Sequence, residues 1–276
     1  MSLADQVVVV TGAASGIGQA ISRLFARKGA RIGLLDQEQA GIDAIAAEFK
    51  RAGISSVALS VDVRQREKVR EAVGDVARML GPIDILVPCA GICRASTVED
   101  LKVAQLEEIL RTNFLGMVYL IDAALPSMLE RGRGQIIGIS SLAGVRGIPY
   151  EPAYSASKAA VTAYLESLRP ELRRRGIAIT TIFPGYVQTP LLDEINGLMG
   201  ADMSRGKAMT AESAATQIIR AIERRRSCSY FPRPLGLGVN LSQILPPRLY
   251  DFVMERMFSR FPISRVSSSL LDQIKP

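Results

Sequence analysis

The stretch Thr11–Gly18, TGAASGIG, decides the fold, because it joins the apolar run Val7–Val10 to a segment with helical periodicity. A glycine costs about 0.5–1 kcal/mol relative to alanine in regular structure, so three glycines at one strand-to-helix junction indicate a need for bare backbone. Gly12, Gly16 and Gly18 would tighten the turn and let a pyrophosphate reach the N–H groups at the helix N-terminus. The spacing G-x-x-x-G-x-G predicts a phosphate-binding loop, and an ordinary tight turn is the alternative.

Outward from this loop, strand-like and helix-like segments alternate along the chain. The predicted strands are Val7–Val10, Ile32–Leu35, Val57–Leu59, Ile83–Val87, Ile136–Ile139 and Ala178–Phe183. The predicted helices are Ile17–Lys28, Gln37–Ala52, Arg64–Leu80, Lys102–Arg111, Phe114–Arg131, Ala153–Arg175 and Ala211–Arg225. Almost entirely apolar strands with room for a crossover helix after each are typical of a parallel sheet covered on both faces. We therefore expect an α/β fold, a Rossmann-type doubly wound parallel sheet with three αβα layers in a single domain.

Asp36 ends the second predicted strand, RIGLLD, at the interval after the glycines where an acidic residue accepts hydrogen bonds from an adenosine ribose. The alternative is a helix cap, a position that aspartate also favours. A carboxylate here repels a 2′-phosphate, and Ala14, Ser15 and Gln37 offer no compensating cation. The sequence therefore favours NAD over NADP as the cofactor.

The ends of later strands should face the same crevice, because ligands of open α/β sheets bind outside the carboxyl ends of the strands. Asp62-Val63 follows the third strand, and Cys89-Ala90-Gly91 follows the fourth. Both are predicted neighbours of an adenine ring and the adjoining ribose. For each of them, a helix cap or a turn is the alternative.

The composition narrows the classes of function. The chain has 276 residues, of which 48% are hydrophobic, and this suits a large core in one domain. Because the sequence contains no histidine, Ser-His-Asp and Cys-His nucleophile systems and histidine metal sites are excluded. Cys89, Cys93 and Cys228 form neither a disulfide framework nor a metal-ligand set, so we expect three buried, reduced thiols and no metal site.

The formal net charge of +7 does not predict nucleic-acid binding, since the basic residues are spread and the cluster Arg224–Arg226 lies where a helix should end. Neither an apolar run of about 18 residues nor a secretory signal is recognisable. We therefore expect a soluble, cytoplasmic protein.

Tyr154 and Lys158 lie four residues apart in AYSASKAAVTAY, hence on one face of a predicted helix. Ser141 ends the strand QIIGISS and should point into the same crevice. A phenol has a pKa near 10, but a nearby ammonium and a cationic nicotinamide would both stabilise the phenolate. Tyr154 would then exchange the hydroxyl proton while hydride moves to or from the cofactor. A surface tyrosine and lysine on an amphipathic helix are the alternative.

Together these motifs resemble the classical short-chain dehydrogenase/reductase family over about residues 5–231. The resemblance rests on TGAASGIG, Asp36, Asp62-Val63, CAG at 89–91, Asn113 of NFLG, Ser141, YSASK at 154–158 and PGYVQTP at 184–190. It implies that Tyr154 is the catalytic acid/base, and that Lys158 lowers its pKa and holds the nicotinamide ribose. It also implies that Ser141 hydrogen-bonds the substrate oxygen and that Asn113 supports a water-linked proton relay to Lys158.

The resemblance further implies an NAD-binding catalytic domain over residues 1–231, acting as a homodimer or homotetramer. The cofactor site would consist of Gly12, Ser15, Gly16, Ile17, Gly18, Asp36, Asp62, Val63, Cys89, Ala90, Gly91, Tyr154, Lys158, Pro184, Val187 and Thr189. Val187 and Thr189 would contact the nicotinamide carboxamide. Pro88-Cys89 departs from the family, in which Asn-Asn is usual before Ala-Gly, and this leaves open how the sheet is braced there.

The segments expected to choose the substrate are Leu142–Pro149, Tyr186 and the predicted loop Leu191–Met209. Their apolar residues are Leu142, Val145, Ile148, Leu191, Leu192, Ile195, Leu198 and Met199. This composition favours a hydrophobic secondary alcohol or ketone of steroid, retinoid or fatty type, with ordinary packing of a lid as the alternative. A catalytically silent NAD-binding regulatory protein and a scaffold protein are the alternatives to an enzyme.

Residues 232–276 form an extension beyond these motifs. The segment 248–261, RLYDFVMERMFSRF, predicts a helix with an apolar stripe of Leu249, Phe252, Val253, Met257 and Phe258. Such a stripe has to be buried, and three places stay open. They are the same subunit or a neighbouring one, the substrate entrance, and a membrane surface, which the positive net charge would favour.

Overall fold

The computed structural model describes residues 2–204 and 206–259. Within them, the strands are β1 (Val7–Thr11), β2 (Arg31–Asp36), β3 (Ser56–Ser60), β4 (Ile85–Pro88), β5 (Gly134–Ile139), β6 (Ile177–Pro184) and β7 (Cys228–Phe231). The α-helices of these residues are α1 (Gly16–Arg27), α2 (Gln39–Arg51), α3 (Arg66–Leu80), α4 (Val103–Leu110), α5 (Gly116–Arg131), α6 (Pro152–Arg174), α7 (Pro190–Met199), α8 (Ala211–Glu223), α9 (Arg233–Ser242) and α10 (Pro247–Phe258).

The strands form one parallel sheet in the order β3-β2-β1-β4-β5-β6-β7. Helices α1, α2 and α8 cover one face of the sheet, and α3, α5 and α6 cover the other. This arrangement confirms the predicted Rossmann-type doubly wound sheet with three layers. Since β1 pairs with both β2 and β4, the winding reverses beside β1, and a crevice opens beyond the carboxyl ends of β1 and β4.

The central strand β1 shows why these residues hold the site in place. Its side chains alternate between the two faces, so that Val8 and Val10 belong to one hydrophobic core and Val7 and Val9 to the other. All of them are fully buried. The loop that follows Thr11 is therefore anchored by packing on both faces of the sheet.

Three elements differ from the sequence prediction. The strand β7 was missed because CSYF is a short, partly exposed edge strand without an apolar run. The predicted loop Leu191–Met209 begins inside the helix α7, whose apolar residues are packed at its centre. The helix α9 was not predicted, because it contains Gly236 and Gly238, which have a low helix propensity.

The helices predicted over Lys102–Arg111 and Phe114–Arg131 are one continuous helical segment, Val103–Arg131. A π-helical turn at its junction carries the buried side chain of Asn113. Among the described residues, this segment alone is long and apolar enough to cross a membrane by length and composition. That is weak support for a span, because core helices pass the same test, and this one packs against α3 and α6.

Candidate active site

The turn between β1 and α1 has no room for side chains at two of its glycines. A Cβ atom on Gly12 would lie 2.8 Å from the Ala90 backbone nitrogen, and one on Gly18 would collide with the Gly12 carbonyl oxygen. Ser15 is the N-cap residue of α1 but makes no capping hydrogen bond, so no described side chain caps the first N–H groups of the helix. This bare backbone and open helix N-terminus fit the pyrophosphate of a dinucleotide.

A cleft of about 730 Å³ opens beyond the carboxyl ends of the strands. Every residue of the predicted cofactor site lines it, and so does Ser141. Asn113 is different: it is 3% exposed and lies behind Gly91, next to Lys158. The cleft has the size of sites that hold cofactors and small ligands.

Two carboxylates and an arginine line one end of the cleft, where the sequence places the adenosine. Asp36 accepts a hydrogen bond from the Ala14 N–H at 2.9 Å. Asp62 binds Arg64, whose Nε is 3.0 Å from both carboxylate oxygens, and this hydrogen bonding holds the pKa of Asp62 below its usual value. Arg64 is a cation that the sequence reasoning did not consider, although its charge is shared with Asp62 and with Glu108 at 3.5 Å.

Ser141, Tyr154 and Lys158 lie along the cleft at the end of β5 and on one face of α6, as their spacing predicts. The Lys158 Nζ donates to the Ile139 carbonyl at 2.9 Å and lies 5.6 Å from the centroid of the Tyr154 ring. The Ser141 Oγ accepts a hydrogen bond from the Ala143 N–H at 3.1 Å. The backbone thus fixes both polar groups that flank the phenol.

The protein groups by themselves raise the pKa of Tyr154, and the predicted lowering beside an oxidised nicotinamide stays a prediction. Burial raises this pKa, while the Ser141 hydroxyl beside the phenol acts the other way. Burial also lowers the pKa of Lys158 to about 8. The Lys158 ammonium donates to the Ile139 carbonyl and not to the phenol, and burial outweighs its effect on the Tyr154 pKa. Two positive charges were predicted to lower the Tyr154 pKa, those of the Lys158 ammonium and the oxidised nicotinamide. A lower pKa therefore requires the charge of the nicotinamide as well.

Asn113 acts through its neighbours rather than on the cleft. Its Oδ1 accepts from the Ile92 N–H at 2.8 Å, and its Nδ2 donates to the Ile92 carbonyl at 2.9 Å. The same Nδ2 donates to the Ser157 Oγ at 3.0 Å. The Ser157 hydroxyl in turn donates to the Tyr154 carbonyl at 2.7 Å. The amide therefore holds the chain after β4 against the turn of α6 that carries Tyr154. The proton relay implied by the resemblance stays a prediction.

A threonine hydroxyl braces the sheet where Pro88-Cys89 departs from the family. The Thr11 Oγ1 accepts hydrogen bonds from the N–H groups of Cys89, at 3.1 Å, and Ala90, at 3.2 Å. The turn after β4 is thus tied directly to the start of the glycine loop. Thr11 therefore supplies the hydrogen bonds that brace the sheet at Pro88-Cys89, where the sequence departs from the family.

The three cysteines are free thiols in different surroundings. Cys93 is buried, as expected, and burial raises its pKa. Cys89 borders the cleft, and burial raises its pKa to about 11. Cys228 is exposed because it lies on the edge strand β7, so the prediction of three buried thiols is wrong. The raised pKa values keep Cys89 and Cys93 protonated, which excludes a thiolate nucleophile here.

An apolar cluster forms the other end of the cleft. Its buried members are Cys93, Ile195, Met199, Met203 and Phe258, packed against Ala95, Ile148, Tyr150, Tyr154, Tyr186, Leu191 and Met254. Of the apolar residues predicted to choose the substrate, those that line the cleft are Leu142, Ile148, Leu191, Leu192 and Ile195. Val145 and Met199 do not line it, and the side chain of Leu198 lies outside the described part of the chain.

The C-terminal extension is tied to the mouth of this apolar end. The Arg146 guanidinium lies 3.7 Å above the Tyr250 ring and donates to the carbonyl oxygens of Ser242 and Leu245. The Tyr250 hydroxyl donates to the Gly147 carbonyl. These contacts join the loop after β5 to both α9 and α10.

The predicted apolar stripe of α10 is divided between the cleft and solvent. Val253 and Phe258 line the cleft, Met257 lines it but is still 46% exposed, and Leu249 and Phe252 are exposed outside it. The reason is that α10 lies over the cleft mouth and presents only one side to it. The remainder of the extension, residues 260–276, lies outside the described residues.

Five charged residues of the cleft were not identified from the sequence: Arg64, Arg94, Glu108, Arg146 and Glu151. Arg64 follows the strand-end Asp62 by two residues, and Arg146 lies inside the segment expected to bind substrate. Glu151 lies one helical turn before Tyr154, and this spacing could have identified it as a residue of the cleft.

Comparison with known proteins agrees with this geometry. Residues 6–198 match the short chain dehydrogenase family. The chain is 33% identical over 268 residues to dehydrogenase/reductase SDR family member 7B of Xenopus tropicalis, covering 92% of this chain and 86% of that protein. It is 33% identical over 225 residues to the ketoacyl reductase HetN of a Nostoc species, covering 81% of this chain and 77% of that protein.

Solved structures share the fold. A short chain dehydrogenase/reductase from Burkholderia phymatum in complex with NAD superimposes with a TM-score of 0.82 at 21% identity, covering 95% of this chain and 98% of that one. Levodione reductase superimposes with a TM-score of 0.78 at 23% identity, covering 85% of this chain and 98% of that one. The sequence matches, with the fold, show that this chain belongs to the short chain dehydrogenase/reductase family of nicotinamide-dependent oxidoreductases.

Proposed function

We propose that the protein is an NAD-dependent dehydrogenase/reductase that interconverts an apolar secondary alcohol and its ketone, of steroid, retinoid or fatty type. The observation that carries this proposal is the position of Tyr154. Its phenol lies between Ser141 and Lys158 and also belongs to the apolar cluster at the substrate end. A proton donor set in an apolar wall suits a substrate whose reacting oxygen is its polar group.

The chain's own residues hold and move one proton. When bound, the nicotinamide cofactor accepts or donates the hydride. Ser141 positions the substrate oxygen, and Tyr154 gives its phenolic proton to that oxygen during reduction or takes the proton back during oxidation. Lys158, anchored on the Ile139 carbonyl, keeps a positive charge beside the phenol and so favours the phenolate in the oxidative direction.

The preference for NAD is supported by the charges at the adenosine end. The Asp36 carboxylate lines the cleft at the end of β2 and would repel a 2′-phosphate. Arg64 is the described cation at this end, and Asp62 and Glu108 already balance its charge. No net positive charge is thus left there to attract a phosphate.

The apolar substrate class is supported by the residues of α7 and α10 that line the cleft. Two of the similar proteins, the ketoacyl reductase and levodione reductase, are by name reductases of carbonyl compounds. A cytoplasmic location and a homodimeric or homotetrameric assembly stay predictions.

The test is a cofactor-reduction screen of the purified protein with NAD and with NADP. The panel contains steroid alcohols, retinol and medium-chain secondary alcohols, each also assayed as the carbonyl compound in the reverse direction. We expect turnover of an apolar alcohol with NAD and none with Tyr154→Phe. NAD binding without turnover of any member would favour the silent regulatory protein, and absence of NAD binding would favour a scaffold.

A further inference from the structure

A buried carboxyl group at the apolar end of the cleft has no part in the reaction described above. Glu151 is the N-cap residue of α6; it is 4% exposed and lines the cleft. Its main chain is engaged, because its carbonyl accepts from the Ser155 N–H at 2.8 Å. Its side chain makes no capping hydrogen bond, and no hydrogen bond or ion pair to its carboxylate is found among residues 2–204 and 206–259.

The described cations that line the cleft outside its adenosine end are Arg94, Arg146 and Lys158, and Lys158 donates to the Ile139 carbonyl. Arg94 forms an ion pair with Glu194 and donates to the Cys93 carbonyl at 3.1 Å. Arg146 is held by the Tyr250 ring and by carbonyl oxygens of the C-terminal extension. Neither arginine therefore neutralises Glu151, and the carboxylate remains available to a ligand in the cleft.

The apolar surroundings of Glu151 make its ionised, unpaired carboxylate unfavourable in free energy. The Glu151 side chain borders the cluster that contains Cys93 and Tyr154, and its charge raises the pKa of both groups. Burial raises the pKa of Glu151 itself to about 7. A buried charge is retained at low cost only when a partner satisfies it, and no described protein group does so.

We propose that Glu151 is a specificity-determining residue that binds a hydrogen-bond donor of the substrate, a hydroxyl or a protonated amine on an otherwise apolar skeleton. This inference rests on the proposed function and narrows its substrate class. In an assay above about pH 7 the Glu151 carboxylate is mostly ionised and only accepts hydrogen bonds, so it selects donors. An apolar isostere would leave the carboxylate desolvated and unpaired, and the site would reject it. Because Glu151 lies one helical turn from Tyr154, one substrate can contact both side chains.

The experiment compares the NADH-dependent reduction of acetophenones that carry a methyl, a hydroxymethyl or an aminomethyl group at the para or the meta position. Reduction is used so that the hydroxymethyl group cannot itself be oxidised. The enzymes are the wild type, Glu151→Gln and Glu151→Leu. Glu108→Gln serves as the matched control, because it removes a cleft carboxylate at the adenosine end.

For the wild type we expect kcat/KM for a donor-bearing probe to exceed that of its methyl counterpart about tenfold or more. Glu151→Leu should abolish this preference and reduce the methyl probe at least as well as the wild type. Glu151→Gln should keep the hydroxymethyl preference and lose the aminomethyl one, because its amide oxygen still accepts but carries no charge. The ratio of the two donor probes in the wild type shows whether a hydroxyl or an ammonium is preferred. Glu108→Gln should leave all ratios unchanged.

Two results would overturn the inference. One is a wild type whose kcat/KM shows no preference for donor-bearing probes at either ring position. The other is a decrease in kcat/KM of Glu151→Leu that is equal for the methyl, hydroxymethyl and aminomethyl probes, which would show a structural role. If no probe is reduced, calorimetric titration of the same probes into the NADH-bound protein decides the role of Glu151, and the alcohol screen above tests the proposed function separately. A tenfold preference in Kd that Glu151→Leu removes supports the inference, and equal Kd values overturn it.

Discussion

The protonation states of Tyr154 and Lys158 together determine whether the phenol can donate or accept the proton of the reaction. Burial raises the pKa of the phenol and lowers that of Lys158 to about 8, so near neutral pH the chain holds a protonated phenol beside a charged ammonium. This state is ready to protonate a carbonyl oxygen. Oxidation of an alcohol instead needs the phenolate, and therefore needs additional positive charge near the phenol oxygen.

Tyr154→Phe should lower kcat by about a hundredfold to ten-thousandfold, because it removes the proton carrier. The affinity for NAD should stay nearly unchanged, since the phenyl ring keeps its apolar contacts. Steady-state kinetics together with calorimetric titration of NAD measures both quantities. A variant that kept more than about a tenth of kcat, with chemistry rate-limiting, would contradict the assigned role.

Asp36→Ala should weaken NAD binding about tenfold or more and relax the exclusion of NADP. The reason is that one carboxylate supplies both the ribose hydrogen bonds and the repulsion of a 2′-phosphate. The measurement is kcat/KM with each cofactor, with Glu38→Gln as a control for an exposed carboxylate outside the cleft. A wild-type enzyme that already prefers NADP would refute this prediction.

At the scale of elements, α10 is held by few polar contacts and by one apolar side. The Arg146 stack on Tyr250 and the Tyr250 hydroxyl bond to Gly147 join it to the loop after β5. Phe258 is buried in the cluster at the substrate end, whereas Leu249 and Phe252 face solvent. These positions place one side of α10 against the substrate end of its own subunit, and the lid stays a prediction.

Tyr250→Phe and Arg146→Met should raise KM for apolar substrates several-fold and leave the Kd for NAD unchanged, because they loosen α10 over the substrate end only. Deleting residues 244–276 should have a larger effect of the same kind. Substrate kinetics and NAD titration measure the two effects, and vesicle co-sedimentation of the intact chain tests the membrane alternative. Aggregation or a changed oligomeric state without a specific kinetic effect would show that the segment is structural.

For the whole molecule, the sheet order brings the site together. The glycine loop after β1, the turn after β4, Ser141 after β5 and the segment after β6 all open on the same edge. Two hydrophobic cores hold this edge from both faces of the sheet. The buried Glu151 lies at that edge without a described partner, so its ionisation should be visible in the stability of the entire fold.

Between about pH 4.5 and pH 7, the wild type should lose stability relative to Glu151→Gln by an amount on the order of 3 kcal/mol. Burial raises the Glu151 pKa from 4.5 to about 7, so the folded state binds more protons there than the unfolded state. The stabilising contribution is therefore complete below the unfolded pKa and lost as pH rises through the folded one. Urea unfolding of both proteins across this range measures the difference. Parallel stability curves would contradict it.

From the sequence alone one can predict the alternation of buried strands and helices, the glycine loop, Asp36 and the spacing of Ser141, Tyr154 and Lys158. These features depend on local periodicity and on the rule that parallel strands present their carboxyl ends on one edge. The edge strand β7 and the helix α9 escaped because their residues lack a strong periodic signal.

The folded structure is needed to reveal the roles that depend on burial and on partners distant in sequence. It turned Asn113 away from the cleft, placed Thr11 as the brace for Cys89, and set α10 over the substrate end. It also buried Tyr154, and this burial raises the pKa of the phenol. The pKa of a side chain and the partner of a charge depend on what surrounds it in three dimensions, and residue spacing along one helix carries no information about that.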